Sequence, residues 1–405
     1  MLNNKGEREL AYITKITNIT PIEGADRVEL AHINGWHVMV KKGEFKIGDL
    51  CVYFEIDSKL PETVEFEFMS RYNFRVKTQR YFKGKVISQG LIMTLKELNL
   101  EDCKEGDFVT ERLKITYYEP EDNIRKASNK KLAELKADKF MERWIRKHKF
   151  LSKFKFICSI KRKIFINRYF KNQIKKKTDW PYWVVKTDEE RCQNLPKLFK
   201  DNDKHYIATE KIDGTSTTFT MLQAPKGKRK AIVCSRNVVF DTPEKEERNF
   251  YKDTDGNVYL EMFEKYRIEE VLNKILSDHP EYSFITIQGE TYGGTIQKRN
   301  YGPEHKLAIF NIIFQIGSKA PERLNPIQMR DFIYSINRVL DTGLECAPIV
   351  DEDFVLPNSC EELLKIAEGK SLIDGQPREG LVFRDKEGKE SFKAVSNTFL
   401  EKYHS

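Results

Sequence analysis

A lysine that could act as a nucleophile lies in the run Glu210-Lys211-Ile212-Asp213-Gly214. A lysine amine attacks only when it is neutral, so it needs a site where burial or neighbouring cations lower its pKa. The acid two residues later could hold a divalent metal, and the glycine would permit close approach of a substrate. Because such a turn also arises by chance on protein surfaces, the run alone does not establish a site.

Five further short motifs follow this run in order along the chain. They are Ser235-Arg236-Asn237, Gly289-Glu290, Phe310-Asn311, the stretch from Glu379 to Arg384, and Ser391-Phe392-Lys393. Together with the lysine run, this ordered set resembles motifs I, Ia, III, IIIa, IV and V of the covalent nucleotidyltransferases. That superfamily contains the polynucleotide ligases and the capping guanylyltransferases.

The resemblance implies three catalytic residues. Lys211 would attack the α-phosphate of a nucleotide, and Lys393 would be the second cation at the reacting phosphate. Arg236 would supply a guanidinium that meets a phosphate. Both cations would neutralise the charge that develops on phosphate oxygens during the attack.

The resemblance also implies a metal site and a nucleotide site. Asp213, Glu290 and Glu379 would hold Mg²⁺ or Mn²⁺, and Glu290 could instead bind ribose hydroxyls. The residues expected to bind ATP are Glu210, Lys211, Arg236, Glu290, Phe310, Glu379 and Lys393, with the ring of Phe310 stacked on the purine. Taken singly, Phe310 would be core, the acids would be solvated strand ends and Lys393 a surface lysine. Only their occurrence together favours the functional interpretation.

The order of the domains narrows the family. Only 12 residues follow Lys393, so we expect no C-terminal OB domain with a motif VI, as DNA ligases and capping enzymes typically carry. Residues from about 9 to 116 instead have the short alternating strands and turns that are typical of a small barrel. In the order of its domains and in sequence stretches such as Pro21 to Leu30 and Gly289 to Gly302, the chain resembles the Deinococcus/Naegleria-type ATP-dependent RNA ligases.

These patterns predict an α+β fold. An OB-like β-barrel that binds RNA is expected over residues 1–120, and a basic, aromatic-rich insert or linker over 121–178. Residues 179–405 are expected to form an adenylyltransferase domain, a nucleotidyltransferase (ATP-grasp-like ligase) domain of antiparallel sheets and helices. Helical periodicity predicts helices at 260–276 and 327–340.

The positive charge is concentrated in the insert. The chain has a net charge of +8, but residues 125–177 hold 20 Lys and Arg against 3 acids, and the rest of the chain sums to −9. Cations interleaved with aromatic residues suit a nucleic acid, because phosphates meet cations and bases stack on rings. A helical linker packed on a neighbouring domain, or attachment to a membrane surface, would have the same composition.

A second group of cations lies in the predicted barrel. Arg71, Arg75, Lys77, Arg80, Lys83 and Lys85 occur with no acid between them. We expect this stretch to hold RNA on the 3′-OH side of a break, although a strand rich in cations also serves solubility.

The cysteine pattern and the N-terminal sequence indicate where in the cell the protein is expected. Seven cysteines without a C-x-x-C pair fit neither a disulfide framework nor a zinc site. Without an apolar segment at the N-terminus or a long apolar run, the chain is expected to be soluble and intracellular, in the cytoplasm or nucleus, and monomeric.

The function expected from the sequence is ATP-dependent joining of RNA 3′-OH and 5′-phosphate ends. Nicked duplexes with an RNA 3′-OH strand are the expected substrates, with Lys-AMP and RNA-adenylate intermediates. A DNA-joining or capping-type nucleotidyltransferase and a degenerate RNA-binding protein are the alternatives. The last arises because Ala394 and Val395 follow Lys393, whereas many ligases have a second lysine in motif V. Lys389 or Lys298 could replace its charge.

Overall fold

The computed structural model describes most of the chain in two compact units. The described residues are 8–82, 86–118, 137–138, 140–148, 155–175, 180–186, 189–200, 204–224, 229–236, 239–240, 257–297 and 299–403, without the side chains of 167–175 and 196. The first unit comprises residues 1–117 and 182–405, and the second comprises residues 118–181.

The N-terminal part of the first unit consists of short strands. They are β1 (Ala11–Lys15), β2 (Asn18–Pro21), β3 (Val28–Ile33), β4 (Trp36–Lys41), β5 (Leu50–Phe54), β6 (Ser58–Lys59), β7 (Gln79–Tyr81), β8 (Val86–Ser88), β9 (Leu91–Thr94) and β10 (Thr116–Tyr117). Their antiparallel pairings are β1-β5-β9, β2-β3-β4, β6-β10 and β7-β8. Within the described residues these pairings do not join into one closed ring. A 3-10 helix, Val64–Tyr72, covers part of the core around Phe54.

The rest of the first unit contains two larger sheets. Its strands are β11 (Glu190–Arg191), β12 (His205–Lys211), β13 (Thr215–Leu222), β14 (Ala231–Ser235), β15 (Val239–Phe240), β16 (Tyr282–Tyr292), β17 (Lys306–Ile316), β18 (Glu322–Arg323), β19 (Glu345–Cys346), β20 (Ile349–Val355), β21 (Gly380–Asp385) and β22 (Ser391–Val395). A five-stranded sheet has the order β11-β22-β21-β12-β20. A seven-stranded sheet has the order β15-β14-β13-β16-β17-β18, with β19 also paired to β17. Only the β11–β22 and β17–β19 pairs are parallel among the pairs of described strands.

Helices cover both large sheets. They are α2 (Val258–Lys265), α3 (Ile268–Asp278), α4 (Pro326–Leu340), α5 (Cys360–Ala367) and α6 (Asn397–Tyr403), after α1 (Lys155–Lys175) in the second unit. The apolar sides of α2, α3 and α4 pack on the seven-stranded sheet in one core, and α5 packs on the five-stranded sheet.

The prediction of one continuous helix at 260–276 is wrong, because the structure has two helices there. The periodicity at 260–276 belongs to two helices, α2 and α3, which are separated at Arg267. Arg267 adopts a left-handed backbone conformation with φ of 51°. Its guanidinium donates 2.8 Å to the carbonyl of Leu340 at the end of α4 and also bonds Glu270. The tertiary contact with α4 therefore accompanies a break that periodicity does not reveal. The helix predicted at 327–340 is confirmed as α4, which begins with a capping box between Asn325 and Gln328.

The N-terminal strands pack directly on the C-terminal elements. The amide of Gly35 donates 3.1 Å to Glu361 at the start of α5. A Cβ on Gly35, whose φ is +78°, would lie 2.9 Å from a methyl carbon of Leu364. Glycine is therefore required at this contact for both its conformation and its size. On β8, Ile87 packs with Val395 and Leu400.

The second unit contains helix α1 and a shorter helical stretch at 140–147. The rings of Phe140 and Phe165 stack at 4.5 Å, and Arg162 pairs with Asp138 at 3.0 Å. These contacts join two helices of the predicted insert, much of whose remainder lies outside the described residues. In the described part of the chain, every helix is too short or too polar to span a lipid bilayer.

Candidate functional site

A cavity of about 370 Å³ is lined by residues from both large sheets. Eight of its lining residues are those that the sequence predicted: Glu210, Lys211, Asp213, Arg236, Glu290, Phe310, Glu379 and Lys393. Motifs spread over 184 residues of sequence, from 210 to 393, are thus brought to one place.

Lys211 is the last residue of β12, and the chain turns immediately after it into β13. A Cβ on Gly214 would lie 2.3 Å from the carbonyl oxygen of Thr291, so only glycine fits at this turn. We expected this glycine to admit a substrate. Gly214 lines the cavity, and its missing side chain also makes room for the backbone of β16, which carries Glu290.

Lys211 forms an ion pair with Glu379, with 2.7 Å between Nζ and Oε2. Their side chains are only 25% and 10% exposed. Burial lowers the pKa of Lys211, but the carboxylates of Glu379, Glu290 and Asp213 outweigh burial, and the pKa is raised. The sequence interpretation expected a lowered pKa. The difference arises because the carboxylates expected to hold a metal are themselves the nearest charges to the amine.

The pKa of Glu290 is also raised, but for a carboxyl group a higher pKa favours the uncharged form. Burial, followed by repulsion from Glu379 and Asp213, raises its pKa to about 8 against the pull of Lys211 and Arg236. Its carboxyl therefore tends to hold a proton near neutral pH.

The carboxylates fit a hard divalent cation in chemistry, since Mg²⁺ and Mn²⁺ prefer oxygen ligands. A cation among them would also relieve the repulsion that raises the pKa of Glu290. Within the described residues, however, no three acidic, histidine or cysteine side chains stand ready as a metal cluster. Ligation would therefore involve one or two of these carboxylates together with phosphate oxygens, as is common for Mg²⁺.

Glu210 lies at a more apolar end of the cavity. Its Oε2 accepts a hydrogen bond of 2.7 Å from the amide of Leu372, and the Ser371 side chain also interacts with the carboxylate. Its Oε1 makes no hydrogen bond within the described residues. Burial raises its pKa. Phe310 packs nearby against the apolar cluster of Ile212, Tyr292, Ala308 and Ala347. An unpaired buried acceptor beside a ring and apolar side chains suits a flat heterocycle that carries a donor.

The remaining predicted cations lie at different depths. Lys393 is half-buried in the middle of β22, and Arg236 is exposed just after β14. Glu290 and Phe310 both lie inside eleven-residue strands, β16 and β17. These strands continue past the cavity because they pair with each other over nearly their full length.

Two residues that line the cavity, Arg384 and Glu189, were missed as functional candidates. Arg384 is fully buried, donates 3.1 Å to Glu189 and also bonds the carbonyl of Phe310. Ser391 donates to the other oxygen of Glu189. An arginine inside an otherwise apolar strand, as in Gly380–Asp385, was the available signal, because such a charge needs a buried partner. These contacts tie the backbone of Phe310 to the five-stranded sheet.

A buried valine, Val395, stands where many ligases have the second lysine of motif V. Val395 is 2% exposed and packs against Ile87 and Leu400. Lys389 pairs with Glu387 at 2.5 Å, and its side chain is 78% exposed and does not line the cavity. Lys298 lies outside the described residues.

Comparisons with known proteins agree with this geometry. Residues 204–395 match the RNA ligase family, and residues 10–95 match an OB-fold domain family. Naegleria gruberi RNA ligase with PPi is 28% identical, with a TM-score of 0.63 and coverage of 98% of this chain and 99% of that chain. A mutant of that ligase with ATP and Mn is 27% identical, with a TM-score of 0.63, coverage of 98% of this chain and 100% of that chain.

A third structure, a mutant of the Naegleria ligase with AMP and Mn, is 28% identical, with a TM-score of 0.64 and coverage of 98% and 99% of the two chains. No curated protein sequence is similar enough to count as a match. The predicted fold class, an OB-like module followed by a nucleotidyltransferase domain of antiparallel sheets and helices, is confirmed. These matches support an ATP-dependent RNA ligase, with its RNA ligase domain at residues 204–395.

Proposed function

We propose that this enzyme uses ATP and Mg²⁺ or Mn²⁺ to seal nicks in duplexes with an RNA 3′-OH strand, through Lys-AMP and RNA-adenylate intermediates. The observation that carries the proposal is the convergence of all eight predicted residues on one cavity around Lys211.

In the first step the amine of Lys211 attacks the α-phosphorus of ATP. The N–P bond forms, the bond between the α-phosphorus and the bridging oxygen breaks, pyrophosphate leaves with that oxygen, and the proton released by the amine passes to water. Glu379, 2.7 Å from Nζ, keeps the amine in place before attack. Lys393 and Arg236 line the same cavity and would neutralise the charge on the phosphate oxygens.

The acids at the site would hold the metal together with the phosphates. One or two of Asp213, Glu290 and Glu379 would supply oxygen ligands, and a bound cation would supply positive charge that lowers the pKa of Lys211 and stabilises the departing pyrophosphate. The chain's own residues contribute the position of the amine, and catalysis is mainly positioning and electrostatics.

The base end of the cavity favours adenine over guanine. The unpaired Oε1 of Glu210 can accept a hydrogen bond from the 6-amino group of adenine. A 6-oxo group at the same place would meet an acceptor with an acceptor, which leaves both unsatisfied. Phe310 would stack on the purine.

In the later steps AMP moves to an RNA 5′-phosphate, and a 3′-OH then attacks that phosphate and releases AMP. We propose the division of labour predicted from the sequence: residues 1–120 hold RNA, 121–178 form a basic insert that adds electrostatic contact, and 179–405 form the adenylyltransferase domain.

The cations of the N-terminal module differ in how well they suit RNA. Arg75 pairs with Asp57 at 2.6 Å, and Arg80 bonds the carbonyl of Leu400. Arg71 and Lys77 are exposed and lie 4.7 Å and 5.6 Å from the centre of the Tyr72 ring. Cations beside an aromatic ring suit both phosphates and unstacked bases, so these two are our candidates for RNA contact. Lys83 and Lys85 lie outside the described residues.

The test is covalent labelling followed by sealing. With α-labelled ATP and Mn²⁺, the protein should acquire label that survives denaturing gel electrophoresis, and Lys211→Ala should lose it. Lys319→Ala replaces an exposed lysine in the loop between β17 and β18, and this matched control should label normally. Labelling that persists in Lys211→Ala would refute the nucleophile, and labelling by GTP in place of ATP would indicate a capping-type enzyme.

Sealing separates the substrate classes. Nicked duplexes with an RNA or a DNA 3′-OH strand are compared, each with ATP and with NAD. We expect sealing only with ATP and preferentially with the RNA 3′-OH strand. Equal sealing of both strands would contradict the proposed specificity.

A further inference from the structure

Arg299 is a buried arginine that binds the loop at residues 370–377. Its side chain is 1% exposed. Nη2 donates 2.6 Å to Oδ1 of Asp374, and Nη1 donates 2.6 Å to the carbonyl of Pro377. A planar guanidinium holds two acceptors in a fixed relative geometry, so these bonds fix the far half of the loop.

The near half of the same loop holds Glu210. The amide of Leu372 donates to its Oε2 at 2.7 Å. The two halves are joined within the loop, since the amide of Ser371 donates 2.7 Å to the carbonyl of Gln376. The position of the Glu210 carboxylate therefore depends on the place to which Arg299 ties the loop.

The same guanidinium also supports the other side of Lys211. It lies 4.1 Å from the centre of the Tyr301 ring. The hydroxyl of Tyr301 accepts a hydrogen bond of 3.2 Å from the amide of Asp213. One buried side chain thus braces residues 210 and 213, on both sides of the nucleophile.

We propose that Arg299 is a positioning residue for nucleotide selection, which acts through the 370–377 loop to aim the free oxygen of Glu210 at the 6-amino group of adenine. This inference rests on the proposed function. Hydrogen bonds weaken steeply when their angle departs from linearity. A looser loop would therefore reduce discrimination between 6-amino and 6-oxo purines, while the apolar contacts to the base would remain.

The experiment measures equilibrium binding of AMP and IMP, which differ at position 6 and undergo no transfer to lysine. Calorimetric titrations compare the natural chain with Arg299→Lys, which keeps the charge but not the fork, and with Asp374→Asn, which is nearly isosteric. Arg229→Lys is the matched control, because Arg229 bonds two carbonyls of α3, of Asn273 and Leu276, and does not line the cavity.

We expect the natural chain to bind AMP roughly a hundredfold more tightly than IMP. Arg299→Lys should reduce that ratio about tenfold, with little change in IMP affinity, and Asp374→Asn should change it in the same direction. Arg229→Lys should leave the ratio unchanged. If Arg299→Lys does not fold, as judged by circular dichroism, Asp374→Asn decides the question.

An equal loss of AMP and IMP affinity in the variants would show a merely structural role and overturn the inference. Equal binding of AMP and IMP by the natural chain would refute base selection by Glu210, while covalent labelling by ATP would still support the ligase. A reduced ratio in the variants together with no covalent labelling would support the inference and refute the proposed first step. If the natural chain bound neither nucleotide, both would fail.

Discussion

Replacement of Glu290 by glutamine should make the protein more stable above neutral pH. The pKa of this carboxyl is raised from 4.5 to about 8, chiefly by burial and then by Glu379 and Asp213. Between these two pH values the folded chain keeps a proton that the unfolded chain has lost. Because the folded state then binds more protons, the free energy of unfolding falls as pH rises through this window.

The size of the effect follows from the displacement of the pKa. Each pH unit corresponds to about 1.4 kcal/mol, so the full displacement of Glu290 gives about 5 kcal/mol as an upper limit. Glu290 is only half-buried, and solvent screening reduces this figure. We therefore expect Glu290→Gln to gain about 2 kcal/mol over the natural chain at about pH 8 and almost nothing at about pH 5. The amide keeps the shape of the side chain without its charge.

The assay is urea unfolding at both pH values in a buffer with a chelator. Glu281→Gln is the control, since Glu281 is exposed just before the strand that carries Glu290, and its replacement should change stability by less than about 0.5 kcal/mol. Addition of Mn²⁺ should shrink the difference between Glu290→Gln and the natural chain, because the cation would favour the ionised carboxyl. If the two proteins lost the same stability between the two pH values, the folded carboxyl would not hold its proton and the reasoning would be refuted.

Three further predictions concern the cavity, the insert and the N-terminal module. Glu379→Gln should lower the pKa of Lys211, measured from the pH dependence of its labelling by an amine reagent, because the nearest carboxylate charge is removed; an unchanged midpoint would contradict the role of the ion pair. Deletion of residues 125–177 should weaken RNA binding and flatten its salt dependence while ATP labelling persists, and a loss of labelling would mean that the fold requires the insert. The double change Arg71→Ala and Lys77→Ala should reduce the slope of log affinity against log salt by about 2 in filter binding, whereas Arg112→Ala should not, and equal slopes would exclude the module's cations from phosphate contact.

The cavity residues could be predicted because each lies in or beside a strand with a clear pattern. Antiparallel pairing then brings distant motifs together: Lys211 lies opposite Gly380, next to Glu379, and Ser216 lies opposite Glu290. The order of the motifs carries this information, since the strands that bear them occupy neighbouring places in the two sheets.

Other features depend on contacts that local sequence does not encode. The break at Arg267 accompanies a bond to the end of α4, and the buried partner of Arg384 is 195 residues away. The raised pKa of Lys211 likewise depends on how three carboxylates converge in space. Helix α5, in contrast, carried a readable start signal that we overlooked, since the hydroxyl of Ser359 caps the amide of Glu362.

Strand β22 connects the cavity, which Lys393 lines, to the contact with the N-terminal module, which Val395 makes. Lys393 lines the nucleotide cavity, and two residues further on, about 7 Å along the strand, Val395 packs against Ile87 of the N-terminal module. Both flanks of β22 are hydrogen-bonded, to β11 and β21, so the strand cannot slide or bend independently. A swing of the module would have to break the packing of Ile87 on Val395 and Leu400 and the hydrogen bond from Gly35 to Glu361. Under the proposed function, this strand sets the distance between RNA held by the module and the phosphate that reacts in the cavity.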